Sequence, residues 1–127
     1  MKASTKLALA FAVSVILFLN AAYASSAVTL ESPNPQHDGF FGQSVAISGP
    51  IAVVGAPDES GGGYSQAGHA FIIDTTANDL TITLTSPNDA TNGHFGFSVA
   101  ISGTTVVVGA PSETATGQVQ AGHAYIF

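Results

Sequence analysis

The chain has 127 residues, eight of them acidic and only two basic, a formal charge of −6 at neutral pH, and no cysteine. Both bases, Lys2 and Lys6, come before the first long apolar run, so residues 25–127 hold all eight acids, no Lys or Arg, and a formal charge of −8. Such a segment cannot neutralise nucleic-acid phosphates or anionic headgroups, and it has no thiol for a disulfide or a thiolate metal site.

In chain order, residues 7–19 form an uncharged stretch behind the two lysines, and Ala22-Tyr23-Ala24 follows with the small-x-small pattern of a signal peptidase site. Residues 1–24 therefore read as a secretory signal-peptide helix. The apolar run of 13 residues is shorter than the roughly 20 a helix needs to span a bilayer. Cleavage would leave no membrane span and a product that is secreted or held at the cell surface; an uncleaved N-terminal anchor is the alternative. No Asn-x-Ser/Thr sequon occurs.

The rest of the chain is organised by a duplication. Residues 28–73 align with 82–127 at a constant offset of 54, without gaps, with 27 identities in 46 positions. A period of this order marks solenoids, propellers or arrays. Residues 25–81 make the first repeat and 82–127 the second.

Within the second repeat, Phe95, Phe97, Val99 and Ile101 alternate with Gly96, Ser98 and Ala100, the period of a strand that presents large side chains on one face and small ones on the other. Ser102-Gly103 (Ser48-Gly49 earlier) turns the chain. The strand over 105–108 (51–54 earlier) is almost wholly apolar and β-branched, as burial on both faces requires. A third strand runs over 122–127 (68–73 earlier), and a fourth over 80–84, where apolar residues alternate with Thr as on a half-exposed strand. Hydrophobicity thus fades from inner to outer strand, the gradient of a propeller blade sandwiched between its neighbours. Residues 27–31 match the fourth strand and read as a spare copy of it, whereas the second repeat ends at Phe127 before a fourth strand of its own.

Phe41-Gly42 followed by Gly55-Ala56-Pro57, and Phe95-Gly96 followed by Gly109-Ala110-Pro111, resemble the FG-GAP repeat of integrin α-chain propellers and many prokaryotic surface proteins. The resemblance implies an all-β fold of two four-stranded antiparallel β-propeller blades, here a partial, open propeller preceded by the signal peptide. It also implies extracellular placement and a role in adhesion or ligand binding. Many blades of that family hold calcium in a DxDxDG-like loop between the FG and GAP strands. Here that connection is Ser48-Gly49-Pro50 or Ser102-Gly103-Thr104, without a carboxylate, whereas calcium takes six to eight oxygen ligands. No cofactor is expected. Two blades are fewer than the roughly four to eight that close a propeller, so further blades, or self-association by donation of the spare strand, are expected.

Up-and-down connectivity places the loop over 56–68 and the connection over 86–94 at one end of the sheets. That end collects His37, Asp38, Asp58, Glu59, Asp89, Asn92, His94 and Glu113, the candidate contacts for a protein or glycan ligand, since loops on a rigid scaffold carry binding residues. The competing reading is a solvated acidic rim with turn-forming Asp and Asn. Glu59 and Glu113 occupy matching positions, either for a cation or for accepting backbone N–H bonds in a turn. His69 and His123 also match, and read as histidines packed at strand starts rather than zinc ligands, which must cluster. No Gly-x-Ser-x-Gly elbow, triad spacing or phosphate-binding loop is present, so a non-catalytic module is expected; a purely structural surface or assembly component is the alternative.

Overall fold

Seven strands follow one another in the computed structural model, which describes residues 27–77 and 81–127. The signal peptide expected over residues 1–24 and its expected cleavage site lie outside the described residues. Strands β1 (Ser44–Ser48), β2 (Ile51–Ala56), β3 (His69–Asp74) and β4 (Thr81–Leu84) form an antiparallel sheet in that order. A second antiparallel sheet holds β5 (Ser98–Ser102), β6 (Thr105–Ala110) and β7 (His123–Ile126). Among the described residues there is no helix, and hence none long and apolar enough to cross a membrane. The two sheets are successive blades of a propeller that is not closed.

Local chemistry explains the hairpins. Ser48 pairs with Ile51 and Ser102 with Thr105, leaving two-residue loops that begin with Gly49 (φ 56°) and Gly103 (φ 58°). Only the first loop residue has positive φ, which makes these type II′ turns. Pro50, with its fixed negative φ, fits the second position of that turn and would be barred from type I′.

Register then sorts the side chains. Ala46, Val53, Ile72 and Ile82 lie opposite one another across the first sheet, and Ser44, Gly55, Ala70 and Leu84 form the next row. This face meets the second sheet. The buried core joins Val53 and Ala70 of the first blade to Phe95, Val106, Val108 and Ala110 of the second, with Val99, Ile101 and Tyr125 packed against it. The inner strand β5 sits on β1 and β2, so the large side chains of β5 meet the small ones of β1. Expected alternation of large and small faces thus becomes the way one blade nests on the next.

Two expectations need correction. The strand expected from Phe95 begins only at Ser98, because His94 (φ 54°) and Gly96 (φ 89°) turn the backbone through the left-handed region just before it. Residues 27–31 carry no strand. Their counterpart β4 belongs by sequence to the second repeat, yet it pairs with β3 of the first blade. Repeat and blade are therefore out of phase by one strand, and residues 27–31 would need the third strand of another blade to pair with.

Candidate functional site

The site is assembled from equivalent turns of the two repeats. After β2, Pro57 and Asp58 leave the sheet; after β6, Pro111 and Ser112 do the same. The turn ahead of each inner strand folds back on the same end, since Gly42 N donates to Gly55 O (3.0 Å) and Gly96 N to Gly109 O (3.1 Å). Phe40 (φ 52°) and His94 (φ 54°) occupy the same left-handed position in the two turns, an uncommon conformation for a bulky residue.

Between these turns opens a cleft of about 410 Å³ lined by Phe40, Gln43, Asp58, His94, Phe97 and Ser112, with Pro57 at its side. Phe40 and Phe97 are half exposed, at 54% and 50%. His94 Nε2 lies 3.4 Å from Asp58 Oδ1, and Asp58 Oδ2 accepts from Gln66 Nε2 at 3.3 Å. The cleft therefore offers two apolar ring faces beside a carboxylate, an imidazole, an amide and a hydroxyl. Its volume lies within the usual range for small-ligand sites.

Of the eight candidates at this end, only Asp58 and His94 line the cleft. His37 Nδ1 and Asp38 Oδ2 lie 2.7 Å apart on the outer surface, away from the cleft. Asn92 serves the fold: its left-handed φ of 59° shapes the turn, and its N–H donates to Ser65 O at 2.8 Å. Asp89 packs beside Gly62 of the first blade, where a Cβ would lie 2.9 Å from its Oδ2.

Glu59 and Glu113 leave the surface altogether, each only 1% exposed. Their carboxylates face other side chains and not the turn N–H groups. Glu113 Oε2 sits 2.9 Å from His123 Nδ1 and accepts from the Tyr125 hydroxyl at 2.5 Å, while Ser86 Oγ donates to that hydroxyl at 3.3 Å. In the first blade Phe71 replaces Tyr125, and Ser32 Oγ donates directly to Glu59 Oε1 at 2.5 Å. His69 Nδ1 lies 3.2 Å from Glu59 Oε2 without the alignment of a hydrogen bond. His69 and His123 begin β3 and β7, as their sequence positions suggested. Burial and the Glu113 carboxylate beside it push the Tyr125 phenol above its ordinary pKa.

Phe40, Gln43, Phe97 and Ser112 of the cleft, and Ser32, Ser86 and Tyr125 of the buried clusters, are the residues that sequence reasoning passed over as site residues. Ser32 and Ser86 stand 54 positions apart, a signal that could have found them. Gln43 and Phe97 also match in position but differ in type, so nothing in the pattern marked them. Among the described residues no group of three or more His, Cys, Asp or Glu side chains is arranged to hold a metal ion.

A search of curated proteins finds no match. The family model for the FG-GAP repeat matches twice, over residues 27–73 and 80–127. Both matches coincide with the duplicated units whose FG turns and GAP strand ends build the cleft, and they cover most of the chain: the protein belongs to the FG-GAP repeat family.

Proposed function

We propose that this FG-GAP propeller module is a non-catalytic binding module, exported to the cell surface or beyond, that takes a glycan or protein ligand in the cleft between its two blades. The observation that carries this reading is the pair of half-exposed rings, Phe40 and Phe97, beside Asp58, His94, Gln43 and Ser112. An apolar sugar face or a side chain of a protein stacks on such rings, and the polar groups take up hydroxyls or amides. The charge of −8 after residue 24 disfavours polyanionic ligands at the same place.

Calcium has no part in this reading, because the FG-to-GAP turns hold no carboxylate. Binding to a glycan array and to surface proteins, measured with and without calcium, tests it. Signal above background that falls at least tenfold in Phe97→Ser and Asp58→Asn, and is indifferent to calcium, is the expected result. Absence of any binding by folded protein would instead leave the structural role, which the exposed apolar residues Val45, Ile47 and Ile126 on the sheet faces favour.

A further inference from the structure

The contact between the two blades is built in part from residues whose duplicated counterparts, Val45 and Ile47 on one face and Ala124 and Ile126 on the other, lie open. We propose that copies of this chain associate head to tail through these faces, the second blade of one copy packing on the first blade of the next as the two blades pack within the chain.

The internal contact defines what such a junction must contain. Three backbone bonds run from the second blade to the first: Asn92 N to Ser65 O (2.8 Å), His94 N to Gln66 O (3.1 Å) and Phe95 N to Ala67 O (2.8 Å). A fourth bond joins Ser44 Oγ to Gly96 O at 2.8 Å. A shift of 54 residues turns these donors into Asp38, Phe40 and Phe41 N, and the acceptors into Val119, Gln120 and Ala121 O. The fourth pair becomes Ser98 Oγ and Gly42 O. Among the described residues, none of these eight groups has a hydrogen-bond partner of its own. The donors lie on one face of the molecule and the backbone acceptors on the other, so a second copy supplies both.

The apolar surfaces repeat the same logic. Val53 and Ala70 are fully buried by the internal contact, whereas their counterparts Val107 and Ala124 remain half-buried and exposed, and Ile126 is 74% exposed. On the opposite face, Val99 and Ile101 are half-buried in the internal contact, while Val45 and Ile47 are 68% and 69% exposed. The rest of that face, with Ala52, Val54, Phe71 and Ile73, is already buried. Its inner strand β1 is open, and the counterpart of that strand, β5, is the one that approaches β1 and β2 in the internal contact.

Backbone clearance agrees. A Cβ on Gly55 would stand 1.9 Å from Gly96 O across the blade junction; Gly109 at the matching position meets no atom of another blade, its nearest neighbour being Ser98 Oγ of its own sheet. The room for a following FG turn is present there, and Gly42 would occupy it.

A junction of this kind joins two different faces, so it propagates and closes into a ring if the rotation allows. Two blades per copy give rings of two to four copies within the roughly four to eight blades of known propellers. Phe40, Gln43 and Asp58 of each new copy would then extend the cleft described above, since its lining comes from matching positions of successive blades.

The test is light scattering after size-exclusion chromatography on the purified protein across low to high micromolar concentration, with two variants at exposed positions, Val45→Asp and Ala100→Arg. The wild type is expected to run as an assembly of two or more copies and each variant alone as a monomer. An equimolar mixture of the variants should form a dimer that grows no further, because one keeps an intact tail and the other an intact head. Each variant is first checked for the β-type circular dichroism of the wild type, Ile47→Asp or Ser98→Arg replacing one that fails. A wild-type monomer at every concentration overturns the proposal. So does an assembly that survives both substitutions, or a mixture whose components stay apart. Ligand binding by the cleft is read separately, so either proposal can fail without the other.

Discussion

Glu113 and Glu59 show how one atom of difference between repeats is absorbed. With Tyr125 present, its hydroxyl stands between Ser86 and Glu113; with Phe71 in its place, Ser32 reaches Glu59 directly. Tyr125→Phe should therefore cost only about 1 kcal/mol, because Ser86 can close on Glu113 as Ser32 does on Glu59. Adding Ser86→Ala should raise the loss to about 3 kcal/mol, since it leaves the buried carboxylate with His123 alone. Urea denaturation of both single variants and the double variant forms a cycle, and simple additivity would show that the serine does not substitute. The raised pKa of Tyr125 has a pH consequence of fixed sign. The unfolded phenol ionises near pH 10 and the folded one above it, so stability is unaffected below that pH and falls as pH rises from the unfolded towards the folded value. Phenolate absorbance of Tyr125 should appear at higher pH in the folded protein than in the urea-unfolded chain. At the tip of the GAP loop, Thr116 (φ 51°) stands where the first repeat has Gly62 (φ 60°). A β-branched residue there is strained, and Thr116→Gly should gain about 1 kcal/mol despite the added freedom of the unfolded chain. An unchanged denaturation midpoint would refute the strain.

Gly55 and Gly109 occupy the same place in β2 and β6 but face different surroundings. A methyl on Gly55 would drive into Gly96 O, a backbone atom of the other blade, while one on Gly109 would meet only the movable Ser98 side chain. Gly55→Ala is thus expected to cost about 3 kcal/mol or more, and Gly109→Ala well under half of that, by chemical denaturation. Equal costs would mean that the blades are not held at this distance. Strand order and the inner-to-outer gradient were legible in the sequence because two aligned copies of the period expose which positions alternate and which are uniformly apolar. The turn of Phe95 and Gly96 was not, because alternation continues through it; only the left-handed backbone at His94 and Gly96, which no hydrophobic pattern records, ends the strand at Ser98. The lost strand at residues 27–31 has another cause, since a strand needs a partner and its sequence alone cannot say which sheet provides one. The cleft was half legible. Asp58 and His94 follow from loop geometry, whereas Gln43 and Phe97 enter only because adjacent blades bring their turns together. Burial of Glu59 and Glu113 was hidden for the same reason, as their partners come from strands and loops distant in the chain.

At the scale of the whole molecule, neither sheet has a core of its own at the junction. Phe95 belongs by sequence to the second repeat, but it buries its ring against Val53 and Ala70 of the first blade as well as Val106 and Val108 of the second. Its ring also approaches Tyr125 at 5.8 Å and Phe127 at 6.0 Å, and its N–H donates to Ala67 O in the loop of the first blade. Removing this side chain strips contacts from both blades at once. Phe95→Ala should therefore cost about 3–5 kcal/mol, a large share of the 5–15 kcal/mol that typically separates folded from unfolded domains. The loss should appear in both sheets at the same denaturant concentration, because the shared core couples them into one cooperative unit. Amide resonances of β3 and β6, followed through a urea titration, would report the two blades separately. Phe41, the matching residue, contacts Phe71 of its own blade at 5.7 Å and is only half-buried, so Phe41→Ala is expected to cost less. Should β3 survive to higher urea than β6 in the Phe95 variant, the blades would be independent modules, and a core shared across the junction would be the wrong description of what holds this chain together.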